Sequence, residues 1–160
     1  MTTTFDFNDS NGPVSAHKHP NGGGWVADTA TVANTAYVGP NAWVSGNAMV
    51  YGNAWVYDNA RVHGNAMVYG NAMVYGNAWV YDNARVYDDA RVYGEAMVFG
   101  EAVVYKKAIV YGDAIVYGNA RVYGDTCNPL SSRTEKFDNN EDIFIEMNGK
   151  RYKLVEVEKS

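Results

Sequence analysis

A Val stands at every sixth position from Val26 to Val122, seventeen in succession, and an Ala stands two residues before each except the first, which has Gly24. Helices repeat at 3.6 residues and strands at two, so neither needs a period of six. Stacked coils do need one, because each repeat forms one side of a coil and only stacking buries a continuous core. Within Ala-x-Val-Tyr, strand alternation puts Ala and Val on one side and x and Tyr on the other. The small, invariant pair faces inward. Gly-Asn or Asp-Asn then makes a corner, since these residues tolerate positive φ. Three strands and three corners close a triangular coil of eighteen residues, so the chain makes about 5–6 coils. At roughly 4.8 Å per coil the rod is about 27 Å long.

The segments Val50-Tyr51-Gly52-Asn53-Ala54 and Val68-Tyr69-Gly70-Asn71-Ala72 place an aliphatic residue four positions before a small one. This pattern resembles the hexapeptide-repeat superfamily and regular repeat proteins of bacteria and phages. The fold the resemblance implies is an all-β, single-stranded left-handed parallel β-helix. The left hand comes from the resemblance, because the general rule for parallel crossovers predicts the right hand. The superfamily also includes acyltransferases that use acyl-CoA or acyl carrier protein, and zinc-type carbonic anhydrases. Such enzymes carry His at subunit clefts and often have loops that interrupt the hexads. Many members are homotrimers packed side by side.

The repeat divides the chain into an N-terminal cap (1–24), the β-helix (25–126), a linker (127–141) and a C-terminal β-hairpin cap (142–160). Phe5 and Phe7 are expected to cover the open end of the first coil. Asn148-Gly149 is a type I′ turn pair, so Glu146 should face Arg151 and Ile145 should face Tyr152. Ile143, Ile145, Met147, Tyr152 and Leu154 would then share an apolar face that packs on the last coil.

Composition narrows the function classes. The net charge is −5, and the repeats carry nine acids against six scattered bases. No basic stripe marks a nucleic-acid footprint, and the balance is too even for an acidic DNA mimic. Cys127 is the only cysteine, which fits a reducing compartment and reads as a small buried residue under the C-terminal cap. No apolar run approaches a membrane span and no leader pattern opens the chain, so a cytoplasmic location is expected.

The outward positions carry what function there is. Eleven of thirteen Tyr follow a repeat Val, and all four Trp precede one, as do Met49, Met67, Met73 and Met97. Taken by eighteens, Tyr51, Tyr69, Tyr87, Tyr105 and Tyr123 form one ladder, and Tyr57, Tyr75, Tyr93 and Tyr111 a second. The third row, Ala27, Ser45, His63, Tyr81, Phe99 and Tyr117, is less regular. Arg61 falls between Trp43 and Trp79, where a cation–π sandwich can form. Asp88 and Asp89 lie one coil from Lys106 and Lys107, placing exposed pairs that help fix the stacking register.

In-register aromatic rows stabilise a sheet surface on their own. Broad apolar faces also mark contact surfaces. The first expectation is therefore a non-enzymatic scaffold or binding module. It would self-associate, as a trimer by resemblance, or bind a protein partner through the two Tyr ladders, Trp43, Arg61, Trp79 and Trp55. An acyltransferase or metal-dependent enzyme is the alternative, and a phage or mobile-element protein that occludes a host complex is another. Uninterrupted hexads and a lone repeat histidine, His63, weigh against the enzyme. His17-Lys18-His19 is at most a weak metal site if both rings share one side of a strand. No catalytic residue, metal site or cofactor is assigned.

Overall fold

The structure, a computed structural model, describes residues 3–9, 12–124, 133–134, 144–147 and 150–153. Each hexad folds as its alternation requires. The x-Val pair of every repeat begins a short strand, and the two residues after the Tyr slot make the turn. Strands pair in parallel with those eighteen residues away, as in Val68↔Val86 and Trp79↔Met97. The result is an all-β parallel solenoid, with no helix among the described residues.

The solenoid has three faces. The Trp face stacks Trp25–Ala27, Trp43–Val44, Arg61–Val62, Trp79–Val80, Met97–Val98 and Ile115–Val116. The first tyrosine face runs from Thr31–Val32 through Met49–Val50, Met67–Val68, Arg85–Val86 and Val103–Lys106 to Arg121–Gly124. The second comprises Tyr37–Val38, Trp55–Val56, Met73–Val74, Arg91–Val92 and Ile109–Val110. Repeat Val and Ala residues from Ala36 to Val122 are buried and form one continuous core. Between coils, N–H groups of the x, Tyr and Asn slots donate to carbonyls seventeen residues on, as Met67 does to Ala84, Tyr69 to Val86 and Asn71 to Asp88.

The corners show why Gly is frequent but not obligatory. Corner glycines such as Gly70 and Gly94 have φ of +72° and +76°. Asp58, Asp82, Asp88 and Lys106 occupy the same slot at φ of 55–58°. Each Asp turns its carboxylate onto the backbone N–H eighteen residues later. Gly76, Gly100 and Lys106 donate to Asp58, Asp82 and Asp88 at 3.2, 3.2 and 3.1 Å. Beside them the Asn side chains form their own ladders, as in Asn59 to Asn77 at 3.0 Å and Asn65 to Asn83 at 3.1 Å.

This geometry corrects the expected Asp/Lys corner. Asp88 holds the Lys106 backbone, and Asp89 accepts from the Asn71 amide at 3.0 Å. The Lys106 ammonium lies instead over the Tyr123 ring, 4.7 Å from its centroid. Positive φ aims the Asp88 carboxylate along the stack rather than outward, so no ion pair forms between the two corners.

The N-terminal segment also departs from expectation. Thr4–Phe5 pairs antiparallel with Val14–Lys18, which pairs antiparallel with Trp25–Ala27 and so extends the Trp face. Phe5 and Phe7 do not plug the coil. They pack on its outside, with Phe5 stacked on Trp25 at 4.5 Å and Phe7 buried with Ala16 and Ala27. Sheet pairing lays this segment beside the outward indoles, which supply the apolar surface that Phe needs. The open end is closed by His19 to Gly24. His19 Nε2 and Asn21 Nδ2 each lie 3.0 Å from the Ala36 carbonyl, and Gly24 donates its N–H to Val38. A Cβ on Gly24 would sit 2.4 Å from Val38 Cγ1, which explains the one missing repeat Ala.

At the other end, Phe144–Met147 pairs antiparallel with Ile115–Val116 and with Lys150–Lys153. Glu146 faces Arg151 and Ile145 faces Tyr152, the register a two-residue turn predicts. The hairpin attaches by extending the Trp face. Arg133–Thr134 similarly extends the first tyrosine face at Arg121–Gly124. Cys127, Ile143, the Asn148-Gly149 turn and Leu154 lie outside the described residues.

A Cβ at position 94 would lie 2.9 Å from the Gly112 nitrogen. Gly94→Ala should therefore cost about 1–2 kcal/mol. Gly94→Asp should cost about 1 kcal/mol less, because its carboxylate can accept that N–H. Urea midpoints of the two variants check this, and equal losses would show that the corner carboxylates add no stability.

Candidate functional site

The inter-coil pairing places every outward residue directly beside its counterpart eighteen away. In the first tyrosine ladder, ring centroids are 4.8 Å apart for Tyr51–Tyr69 and Tyr69–Tyr87, and 5.3 and 5.2 Å for Tyr87–Tyr105 and Tyr105–Tyr123. The second ladder has spacings of 4.8, 4.8 and 5.5 Å from Tyr57 through Tyr75 and Tyr93 to Tyr111. Rings in this geometry turn their faces to one another and present edges and hydroxyls outward. The irregular third row stacks as well, from His63 to Tyr81, Phe99 and Tyr117.

Burial raises the phenol pKa of Tyr57, Tyr69, Tyr75, Tyr81 and Tyr87 above the ordinary 10.0. The next phenol in the stack adds to this at Tyr57, Tyr69 and Tyr75, and the adjacent corner carboxylate at Tyr81 and Tyr87.

The three faces differ in what is left uncovered. The Trp face is extended by added strands at both ends, and the first tyrosine face at one. Among the described residues, the second tyrosine face is a sheet of repeat strands alone. It carries Trp55, 47% exposed and edge-on to Tyr57, and Tyr111, 39% exposed. Tyr51 on the first tyrosine face is also 39% exposed.

On the Trp face the Arg61 guanidinium lies between two indoles, 4.1 Å from Trp43 and 4.6 Å from Trp79. These residues form one wall of a groove of about 370 Å³, closed on the other side by Phe7, Asn8 and Asp9. Ser45 and His63 also line it. His63 stacks on Tyr81 at 5.0 Å and meets Trp79 edge-on. Burial chiefly lowers its pKa, and the Arg61 charge lowers it further, against the opposing pull of Asp82 and Asp9. Its imidazole is therefore neutral at pH 7.

Sequence spacing foresaw the sandwich but not the groove, because the Phe7–Asp9 turn belongs to no repeat. A signal was present nonetheless. The outward slot that holds Tyr or Phe from Tyr51 onward, His63 excepted, holds Ala27, Ala33, Gly39 and Ser45 in the first four repeats. His17 and His19 are not brought together. His17 Nδ1 pairs with Asp28 at 2.8 Å, whereas His19 is buried against Ala36. Among the described residues no group of three His, Cys, Asp or Glu side chains is placed to hold a metal ion, and no helix is long and apolar enough to cross a membrane.

Tyr75 has two ring partners and Tyr111 one described partner, each stack contributing about 0.5–1.5 kcal/mol. Tyr75→Ser should therefore lose roughly twice the stacking energy that Tyr111→Ser loses, read from urea unfolding. The raised phenols also set a pH window. Because the folded state keeps protons that the unfolded chain releases near pH 10.0, stability is full below that value and falls as pH rises through the folded pKa values. Tyr69→Phe with Tyr75→Phe should flatten this alkaline loss, and an unchanged pH profile would remove the ladders as its cause.

Residues 42–58, 66–82 and 90–106 match the family model described as the YdcK Beta solenoid repeat, so these three stretches are similar to that repeat. No curated protein and no solved structure matches the chain.

Proposed function

We propose that the protein is a non-enzymatic scaffold and binding module that self-associates through its second tyrosine face. We read it as a left-handed member of the hexapeptide-repeat superfamily that acts in the cytoplasm. The observation that carries the contact face is the exposure of Trp55 on the one sheet that, among the described residues, no added strand extends. Trp55 stands beside Tyr37, Met73 and the Tyr57–Tyr111 ladder, which together make a broad, largely apolar surface. Such a surface marks an interface more often than a solvated wall. Symmetric self-association is the commonest use of one, and the resemblance implies three rods side by side. A protein partner seated on the same face is the variant of this reading.

The alternative enzyme reading has less support. His63 is neutral, stacked on Tyr81 and edge-on to Trp79, and no described side chain orients it as a general base.

Light scattering should give about three times the 17.6 kDa chain mass. Trp55→Ser with Met73→Ser should shift the population to monomer while thermal stability is kept, since both side chains point outward. A strict monomer at high concentration would exclude self-association and leave the foreign partner. Assembly that survives the double change would move the interface to another face.

A further inference from the structure

We infer that the groove between the Trp face and the Phe7–Asp9 turn binds a small, singly charged carboxylate on the N–H edge of Arg61. Both planar faces of the Arg61 guanidinium are covered by indoles, at 4.1 and 4.6 Å. Its N–H groups make no hydrogen bond or ion pair to a described residue, so the fork is held in place with its donors unused. A rigid guanidinium fork matches the two oxygens of a carboxylate.

Ser45 supplies an independent observation. It is 4% exposed and lines the same groove, yet its hydroxyl has no hydrogen-bond partner among the described residues. Buried polar groups are ordinarily paired, so an unpaired one in a cavity points to a missing ligand atom. The neutral His63 ring, likewise without a described hydrogen bond, gives a third polar group on the same wall. Phe7, Trp43, Val62 and Trp79 are apolar walls that strengthen a charge contact by excluding water.

Charge and volume narrow the ligand. Asp9 sits across the groove, close enough for its charge to act on His63. The Asp9 carboxylate across the groove opposes negative charge there, and so disfavours a dianion such as phosphate more than a monoanion. A groove of about 370 Å³ is at the small end of ligand sites, so short hydroxy or amino acids fit it and long-chain acids do not.

NMR titration of the Trp43 and Trp79 indole N–H signals near pH 7.5 tests this. Lactate should shift both saturably with a Kd of about 1 mM or tighter. Inorganic phosphate should bind at least about tenfold more weakly, and Arg61→Lys, which keeps the charge but not the fork, should weaken lactate by about tenfold. Ser45→Ala should weaken it about threefold while leaving the fold intact. Trp55→Ser should leave the titration unchanged, which separates this groove from the proposed contact face. The assignment is overturned by lactate shifts that never saturate, by phosphate binding as tightly as lactate, or by full lactate affinity in a folded Arg61→Lys protein.

Discussion

The backbone hydrogen bond between coils governs every outward feature of this molecule. Donors in the x, Tyr and Asn slots reach carbonyls seventeen residues ahead, which locks residues eighteen apart into register. Strands paired this way stand about 4.8 Å apart. The Tyr51–Tyr69, Tyr57–Tyr75 and Tyr75–Tyr93 centroids share that spacing at 4.8 Å. Parallel rings cannot meet face to face over such a gap, so they slide into the offset stack that aromatic quadrupoles favour. The ladders therefore follow the backbone pitch and do not set it. Spacing widens to 5.2–5.5 Å in the last stacks of all three rows.

The interior leaves little freedom. Each coil side but the first contributes one Val and one Ala, and these close the interior. Gly24 at the open end is the exception, since a methyl group there would collide with Val38 and the Gly39 carbonyl. A core made of two residue types can carry stability but no chemistry. Variation is confined to the two outward slots and the corners. At the corners it is confined further, to residues that accept positive φ or, like Asp58, Asp82 and Asp88, gain a hydrogen bond there.

Most of the solenoid was legible because a period of six converts spacing into contact. The Tyr ladders, the Trp43–Arg61–Trp79 sandwich and the Glu146↔Arg151 register all follow from counting residues. Counting fails where the chain does not repeat. Phe5 and Phe7 are apolar and near an open end, but strand pairing carries them to the outer indoles. The Asp88/Lys106 corner was legible as proximity only, since side-chain direction depends on the local φ. The groove joins residues 7–9 to residues 43–46, 61–64 and 79, a separation no hexad rule spans. Handedness rests on the resemblance, because the alternation of inward and outward residues is the same for either hand.

A regular rod faces a problem of its own in recognition. A ladder of identical Tyr residues looks the same after a slide of one coil, so it cannot fix where a partner sits. Register on a repetitive surface has to come from features that do not repeat. On the second tyrosine face those features are the x slots. They read Tyr37, Trp55, Met73, Arg91 and Ile109, with no two alike. A one-coil slip would bring Arg91 to the place of Met73 or Ile109, and a buried, unpaired guanidinium is costly. In the proposed self-association the Tyr rows would supply uniform, self-supporting walls, while the x row beside them would distinguish one docking register from the next.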